Sequence, residues 1–265
     1  MTNIFKPDKD QPARAEDIRA LLDKSIQDRR AAQPRRQYLG ASMWGEECAR
    51  KLAYGYHQFP VDEGRDFSPR ILRIFDMGHD AEERVAEYLR IAGFELKTHK
   101  DDGKQFGFSE CDGKLKGHLD GILVSGPLLD GITYPCLWEN KGLNDNGWES
   151  AVKNGIRVSK PLYYSQAQTY MAYMDLSCCL FTAINRDSGE IYVEIIKPDL
   201  QNSQESSDRA VRVISSSSPE DFGRIAGEST DKRCKFCDYR RRCWNLTETI
   251  PTPTNNTPSW LTKNT

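Results

Sequence analysis

Hydrophobic positions recur along this chain with two different periods. Segments in which they return every three or four residues predict helices, and these are residues 13 to 30, 70 to 92, 162 to 175 and 199 to 214, with shorter helices starting near residue 42 and over residues 148 to 153. Short apolar or alternating runs between turn residues predict strands, and these are residues 94 to 100, 105 to 108, 114 to 124, 134 to 141, 178 to 184 and 191 to 197. The chain is therefore predicted to contain both helices and strands.

Two of the predicted strands carry charged residues where a half-buried strand would carry apolar ones. Asp120 lies in the strand at residues 114 to 124, and Glu139 and Lys141 lie in the strand at residues 134 to 141. Because side chains alternate faces along a strand, Glu139 and Lys141 share one face, and Asp120 joins them if the two strands pair. Two half-buried carboxylates repel each other unless a cation lies between them. The pattern therefore indicates a divalent-metal site with oxygen ligands.

The predicted helix at residues 70 to 92, which Gly93 closes, carries an acid in its apolar face. That face comprises Ile71, Phe75, Gly78, Glu82, Val85 and Leu89. A buried arginine could satisfy Glu82, but the two carboxylates on the strands favour a third oxygen ligand at the same metal site. His79 shares part of this face, and a metal ligand, a proton carrier and a hydrogen-bonded histidine are all open interpretations.

The predicted helix at residues 162 to 175 places Gln166 and Tyr170 one turn apart. Most aromatic residues at this spacing belong to a core. A glutamine in line with a tyrosine also suits a nucleotide, because the amide can donate to a phosphate and the ring offers a stacking surface. Both interpretations stay open at this point.

Three cysteines near the C-terminus, Cys234, Cys237 and Cys243, form the pattern Cys-x2-Cys-x5-Cys. Zinc and four-iron, four-sulfur clusters usually take four cysteine ligands. The helix predicted from Ser42 turns Cys48 inward, which makes Cys48 the candidate fourth ligand. The spacing alone does not distinguish zinc from iron.

Composition indicates where the protein is located in the cell, but it does not indicate the function. With 265 residues, 38% of them hydrophobic, the chain can bury a substantial core. No apolar run approaches the length of a membrane span and the N-terminal residues do not resemble a signal peptide, so we expect a cytoplasmic protein. The net charge of -2 neither favours nor excludes a nucleic-acid partner. Since structural disulfides are rare in the cytoplasm, we expect the remaining cysteines to be buried as small hydrophobic residues, namely Cys111, Cys136, Cys178 and Cys179.

The combination of these motifs resembles the PD-(D/E)XK nuclease superfamily, and within it the RecB-like exonucleases with an iron–sulfur cluster, including the CRISPR-associated and phage-encoded branch. The matching segments, in the family's order, are Gly78 to Glu82, Gly117 to Gly121, Glu139 to Lys141 and Gln166 to Tyr170. Each motif is weak alone, but their order and spacing, together with the split cysteines, are specific. One departure is that Leu119, and not a proline, precedes Asp120.

The resemblance implies an α/β fold with a restriction-endonuclease-like core, in which a mixed central β-sheet is flanked by helices and a cysteine-ligated cluster lies near the C-terminus. It implies four segments, which are an N-terminal segment and helix at 1–41, a nuclease core at 42–200, a helical region with the cysteines at 201–246 and a disordered tail at 247–265. It favours a [4Fe–4S] cluster over Zn²⁺, with the ligands Cys48, Cys234, Cys237 and Cys243.

The activity that the resemblance implies is metal-dependent hydrolysis of DNA from its ends. One or two Mg²⁺ or Mn²⁺ ions would be held by Asp120, Glu139, Glu82, the Asn140 carbonyl and His79. Lys141 would position or help to deprotonate the attacking water, and Gln166 and Tyr170 would hold the DNA. The role of His118 stays open among the metal, the DNA and neither.

The expected exonuclease activity has two alternatives, and the resemblance also implies partners and a biological setting. A structure-specific or nicking endonuclease on the same fold is one alternative, and a non-catalytic DNA-binding adaptor is another. The expected partners are DNA and a protein of recombination or CRISPR adaptation, with no membrane. The expected setting is DNA recombination, repair or processing in the cytoplasm of a prokaryotic or phage-infected cell.

Overall fold

The structure, a computed structural model, describes residues 14 to 246 as two compact units. Within this range the first unit comprises residues 14 to 59 and 67 to 223, and the second comprises residues 60 to 66 and 224 to 246. The tail predicted at residues 247 to 265 and the first part of the predicted N-terminal segment lie outside the described residues. None of the helices in this part of the chain combines the length and the apolar character that a membrane span requires.

The strands of the described residues all lie in the first unit. They are β1 (Leu39–Gly40), β2 (Glu95–Lys97), β3 (Gly107–Glu110), β4 (Leu115–His118), β5 (Gly121–Ser125), β6 (Cys136–Leu143), β7 (Cys179–Asn185) and β8 (Ile191–Ile196). A five-stranded sheet has the order β2-β5-β6-β7-β8, in which β6 and β7 are parallel and the other neighbours are antiparallel. A separate three-stranded sheet has the order β1-β4-β3. The predicted mixed sheet is therefore confirmed.

The helices follow the predicted pattern closely. In the described range they are α1 (Ala15–Ala31), α2 (Ala49–Tyr56), α3 (Pro69–Ile91), α4 (Asp145–Ser159), α5 (Pro161–Met174), α6 (Leu200–Ser215), α7 (Lys232–Lys235) and α8 (Arg240–Trp244), with single 3-10 turns at Ala41–Met43 and Pro219–Asp221. The four long predicted helices, now α1, α3, α5 and α6, are confirmed to within one or two residues at each end. Helices α7 and α8 belong to the second unit.

The ends of α3 are set by local chemistry. At the start, the Ser68 side chain accepts a hydrogen bond from the Ile71 N–H at 3.4 Å, and Pro69 occupies the first turn, where no N–H is needed. At the end, Gly93 adopts a φ of 90°, which a glycine tolerates without steric cost. The predicted glycine cap is therefore confirmed.

Helices cover both faces of the five-stranded sheet. On one face, Leu137 of β6 and Phe181 of β7 belong to a core with Ala167 of α5 and with residues of α4 and α6. On the other face, Trp138 of β6 belongs to a second core with Val85 of α3. These two cores confirm the predicted sheet flanked by helices, and they place α3 and α5 on opposite sides of β6.

The single strand predicted at residues 114 to 124 is wrong, because the chain forms two strands in two different sheets. Strand β4 ends at His118 and strand β5 begins at Gly121. Leu119 is fully buried between them, where the chain crosses from one sheet to the other. Asp120 therefore lies in the crossing and does not alternate with the residues of a strand.

The helix predicted from residue 42 is also wrong in its start. Helix α2 begins at Ala49, and Cys48 is its half-buried N-cap residue. The chain before it turns at Gly45, which lies so close to α5 that a Cβ there would stand 2.4 Å from the Cβ of Ser165. Since the chain turns to pack against α5, Cys48 lies at the start of a helix and not on the inward face of one.

Two further details of the helices differ from the prediction. Helix α4 begins at Asp145, before the predicted start, because the Asn144 side chain caps its first turn. Phe75, expected in the apolar face of α3, is 44% exposed and packs edge-on against Phe67. The buried residues of α3 are Leu72, Val85 and Ala86.

The cysteines outside the predicted metal cluster divide into buried and exposed ones. Cys136, Cys178 and Cys179 are fully buried at the start of β6 and β7, as predicted. Cys111 is exposed in the turn between β3 and β4, where its φ is 51°, so its predicted burial is wrong. A turn residue with positive φ projects its side chain away from the hairpin that it joins.

A close backbone approach sets β3 against β4. Gly107 pairs with His118, and a Cβ at Gly107 would stand 2.0 Å from the carbonyl oxygen of Gly117. Because that neighbour is backbone, it cannot rotate away as a side chain can. A side chain at residue 107 would displace the strand that leads to Asp120.

The Gly107→Ala substitution is expected to lower the free energy of unfolding by about 1 to 3 kcal/mol, since overpacking against backbone forces the strands apart. Gly78→Ala is the matched control, because Gly78 lies inside α3 and a Cβ there meets no atom within 4 Å. The higher helix propensity of alanine should raise the stability of this control by about 0.5 to 1 kcal/mol. Urea unfolding measures both changes, and wild-type stability of Gly107→Ala would contradict the close approach.

Candidate active site at the end of strand β6

The structure brings together the charged side chains that stand out in the sequence. The Lys141 Nζ donates a hydrogen bond to Glu139 Oε1 and lies 3.8 Å from Asp120 Oδ2. Glu139 is fully buried, whereas Asp120 and Lys141 are half-buried. Glu82 of α3 lies near enough for its charge to act on Glu139. The four side chains therefore form one cluster of charges near the carboxyl end of β6.

Asp120 takes the place of a neighbouring strand beside β6. The pairing of β5 with β6 ends where Gly121 lies opposite Trp138. Beyond that point the Asp120 carboxylate accepts the N–H of Asn140 at 2.8 Å. Since the N–H and C=O of one strand residue point to the same side, the Asn140 carbonyl faces this edge as well. The edge thus presents carboxylate and carbonyl oxygens together.

Burial and mutual repulsion disfavour the charged forms of two carboxylates in the cluster. Burial raises the pKa of Glu139 to about 8, and the charge of Asp120 adds to the rise, whereas Lys141 opposes it. Burial also raises the pKa of Glu82 to about 7, again with a contribution from Asp120. An added cation would reverse both effects, because it favours the ionised carboxylates.

For Lys141, unlike Glu139 and Glu82, the surroundings favour the charged form over the neutral one. Burial lowers the pKa of its ammonium, but the charges of Glu139 and Asp120 outweigh that effect and hold the pKa above the usual range. The ammonium also lies 5.5 Å from the centre of the Tyr163 ring, within the range of a cation–π contact. Lys141 is therefore held in place as a permanent cation.

Gln166 and Tyr170 of α5 lie behind Glu139. The Gln166 Nε2 donates to Glu139 Oε1 at 2.6 Å and lies 3.2 Å from the Tyr170 hydroxyl. Gln166 is only 6% exposed and Tyr170 only 3% exposed. Burial, helped by the charge of Glu139, raises the pKa of Tyr170, so its hydroxyl keeps its proton. Gln166 holds Glu139 in position and Tyr170 accepts a hydrogen bond from Gln166, while the contact of both side chains with DNA stays a prediction.

The donor set of this cluster fits a hard divalent cation. Glu139 Oε2 is buried and has no hydrogen-bond partner in the described residues, which is costly for a carboxylate oxygen. The remaining oxygens come from Asp120, Glu82 and the Asn140 carbonyl, and oxygen ligands are those that Mg²⁺ and Mn²⁺ prefer. As placed in residues 14 to 246, however, no three His, Cys, Asp or Glu side chains are arranged to hold a metal ion. The Lys141 ammonium contacts the Glu139 carboxylate and lies 3.8 Å from the Asp120 carboxylate.

The two histidines of the motifs are both exposed. His79 is exposed on α3, one turn before Glu82. His118 is exposed at the end of β4, where partial burial and the charges of Arg36 and Lys116 lower its pKa. The structure assigns neither histidine to a metal, so both roles stay predictions.

The cysteines of the predicted metal cluster lie in different parts of the chain. Cys48 belongs to the first unit, at the start of α2. In the second unit, Cys234 is buried in α7, Cys237 is half-buried in the following turn and Cys243 is half-buried in α8. The Cys237 N–H donates to the Cys234 carbonyl at 3.0 Å, so a tight turn separates these two. The four-cysteine cluster stays a prediction.

Sequence reasoning missed the residues that support Asn140. The Thr182 hydroxyl donates to Asn140 Oδ1 at 2.8 Å and accepts from the Trp138 indole N–H at 3.0 Å. Thr182 lies directly opposite Asn140 in the parallel pairing of β6 with β7. A lone hydroxyl in the apolar run Leu180 to Ile184 was the available signal, but the register that gives it meaning is a tertiary property.

Solved structures that are similar to this chain have low sequence identity to it. No protein-family model and no curated protein matches the chain. Among solved structures, the protein SSO0001 is similar at 14% identity and a TM-score of 0.48, over 87% of this chain and 98% of that one. An alkaline exonuclease from Laribacter hongkongensis, LHK-Exo, is similar at 16% identity and a TM-score of 0.46, over 68% of this chain and 89% of that one.

A second structure of LHK-Exo, in complex with dAMP, gives 18% identity and a TM-score of 0.46, over 68% of this chain and 87% of that one. At this level of similarity the functional conclusion has to come from the site itself. The charges, burial and unpaired atoms around Glu139 are the observations that bear on it.

Without divalent metal, the protein is expected to lose stability as the pH rises, because of Glu139. The unfolded carboxyl titrates at about 4.3, whereas the folded one titrates at about 8. The folded state therefore binds more protons between these values, and the free energy of unfolding falls as the pH increases through them. Relative to Glu139→Gln, the wild type should lose on the order of 5 kcal/mol across this window, since each pKa unit corresponds to about 1.4 kcal/mol.

Urea unfolding at several pH values in the presence of a chelator measures this difference. Glu83→Gln, which alters an exposed carboxylate next to Glu82, serves as the control and should follow the wild type. A constant difference between wild type and Glu139→Gln at all pH values would show that Glu139 titrates normally.

Proposed function

We propose that this protein is a divalent-metal-dependent nuclease that hydrolyses phosphodiester bonds in DNA. The observation that carries the proposal is the buried Glu139 carboxylate, one oxygen of which has no partner in residues 14 to 246, beside Asp120 and the Lys141 ammonium. Carboxylates that need a cation, next to a fixed ammonium, suit a reaction in which negative charge builds up on a phosphate.

Asp120, Glu139, Glu82 and the Asn140 carbonyl would hold one or two Mg²⁺ or Mn²⁺ ions, with His79 as a further ligand. When bound, the metal supplies stabilisation of charge on the phosphate and lowers the pKa of a bound water. The protein's share is to present oxygen ligands at a half-buried edge of the sheet. Gln166 donates to the Glu139 carboxylate and to the Tyr170 hydroxyl, and on this proposal Gln166 and Tyr170 also hold the DNA strand.

Lys141 would act as a cation and not as a base. Its pKa is held high by Glu139 and Asp120, so it keeps its proton at neutral pH. An ammonium in this position can orient the attacking water through a hydrogen bond and offset charge on the phosphate in the transition state. Of the two roles that the sequence allowed for Lys141, the electrostatics favour positioning over deprotonation.

Attack from DNA ends is the finer part of the proposal and rests on the sequence resemblance to RecB-like exonucleases. The same resemblance supports action in recombination, repair or processing, in the cytoplasm of a prokaryotic or phage-infected cell. A protein of recombination or CRISPR adaptation would then be a partner. A structure-specific or nicking endonuclease is the alternative within the fold. A non-catalytic adaptor is disfavoured because the acid, acid and lysine set is complete.

Digestion of end-labelled linear DNA tests the activity. With Mg²⁺ or Mn²⁺, Asp120→Asn, Glu139→Gln and Lys141→Met are each expected to reduce the rate by about 10²-fold or more, as for loss of a group that stabilises transition-state charge. Chelator should abolish digestion. Glu82→Gln should lower the rate, whereas its exposed neighbour variant Glu83→Gln should not. Unchanged digestion by the Asp120 and Glu139 variants would overturn the assignment of the site.

The same assay on closed circular DNA separates the two nuclease types. An exonuclease should degrade the linear molecule and leave the closed circle intact, whereas an endonuclease should nick or linearise the circle. Binding of DNA without digestion, in every divalent metal tested, would indicate the adaptor. Single-stranded and double-stranded substrates in parallel define the strand preference.

We also propose a structural [4Fe–4S] cluster, with Zn²⁺ as the alternative, at the four cysteines Cys48, Cys234, Cys237 and Cys243. The support is their spacing in the sequence, and hydrolysis of a phosphodiester requires no electron from such a cluster. Protein purified without oxygen is expected to show broad visible absorbance together with iron and sulfide. Cys234→Ser should lose these, and Cys111→Ser, at an exposed cysteine outside the pattern, should keep them. Zinc without iron would select the alternative, and neither metal would contradict the site.

A further inference from the structure

Arg186 lies beside the strand that carries the candidate active site. Strands β6 and β7 are parallel, so their carboxyl ends meet at the same edge of the sheet. Arg186 directly follows β7, and its backbone N–H donates to the Leu143 carbonyl at 2.8 Å. Its aliphatic stem packs over Gly142, where a Cβ would stand 3.1 Å from Arg186 Cδ. The side chain thus crosses β6 at the residue after Lys141.

The guanidinium of Arg186 lacks a partner for one nitrogen among residues 14 to 246. Its Nε is buried without a hydrogen bond in the described residues, whereas its two terminal nitrogens are not among the buried atoms that lack a partner. The acids nearest in sequence and space are engaged elsewhere. Asp187 Oδ2 accepts the N–H of Asp145 at 2.9 Å, and Asp145 Oδ1 accepts from the Asn185 amide at 2.7 Å. Since buried donors normally have an acceptor, an Arg186 Nε that lacks one among the described residues favours a bound acceptor at this position.

A second unpaired donor lies on the same face of β6. Asn140 and Gly142 are two residues apart, so they share the face opposite Glu139 and Lys141. The Asn140 Nδ2 is buried and has no hydrogen-bond partner in the described residues, because its Oδ1 takes the Thr182 hydroxyl. This face therefore carries buried donors that lack acceptors, which favours an oxyanion as the missing group.

We propose that Arg186 binds a backbone phosphate of the DNA, on the face of β6 opposite Lys141. The inference rests on the proposed nuclease function and adds a substrate-binding residue that the sequence motifs do not contain. The planar guanidinium suits a phosphate because it can donate two parallel hydrogen bonds to two oxygens. Gly142 permits this position, since any side chain there would push the arginine stem away.

Fluorescence anisotropy with labelled single-stranded and double-stranded oligonucleotides tests the assignment. The assay uses Ca²⁺ in place of Mg²⁺, a gel verifies that the DNA is uncut, and the salt concentration is varied. Arg186→Gln should weaken binding about tenfold at low salt and reduce the slope of log affinity against log salt by about 1, because one phosphate contact is lost. Arg186→Lys should keep the slope and lose part of the affinity. Arg84→Gln, whose exposed guanidinium already pairs with Glu87 at 2.5 Å, should change neither.

Thermal unfolding without DNA separates binding from a structural role. Because the Arg186 Nε has no partner among the described residues, Arg186→Gln should unfold at the same temperature as the wild type or higher. A lower midpoint with an unchanged salt slope would assign Arg186 a structural role and overturn the inference. If Arg186→Gln does not fold, Arg186→Lys decides, since wild-type affinity in that variant would also overturn it. Failure of the wild type to bind either oligonucleotide would instead overturn the proposed nuclease function.

Discussion

The fully buried carboxylate of Glu139 is the constraint on which the rest of the site depends. A carboxylate without water is stable only if charges and donors surround it. Lys141 and Gln166 satisfy one oxygen, while the other is left without a partner among the described residues. The negative charges of Asp120 and Glu82 repel that of Glu139 and so make its ionised form still less stable. On the proposed function, a bound cation would remove this cost.

The fold supplies the rigidity that such a cluster requires. Cores on both faces of β6 prevent the strand from moving to expose its carboxylate to water. The crossing between β4 and β5 ends one strand early, which lets the Asp120 side chain replace a backbone neighbour of Asn140. Close approach of β3 to β4 at Gly107 then fixes where the crossing occurs. The positions of Gly107, Asp120 and Asn140 therefore determine both the path of the chain and the geometry of the site.

The two faces of β6 carry buried polar atoms of opposite kinds that lack hydrogen-bond partners in the described residues. On one face, Glu139 Oε2 has no donor in the described residues, which suits a cation. On the other face, Asn140 Nδ2 and Arg186 Nε have no acceptor in this part of the chain, which suits an anion. A metal ion would supply the first missing partner and a phosphate the second, and metal-assisted hydrolysis of DNA involves both groups. Glu139 and Asn140 lie on opposite faces because successive side chains alternate along β6.

The sequence alone determined the long helices, most of the strands and the group of Asp120, Glu139 and Lys141, because periodicity and misplaced charge are local patterns. Only the tertiary structure decided that Asp120 lies in a crossing between two sheets, that Cys48 begins a helix, and that Gln166 reaches Glu139. Thr182 and Arg186 gain their positions from the parallel pairing of β6 with β7. Such contacts join residues far apart in the chain, and their register depends on the packing of the whole unit, which no local pattern contains.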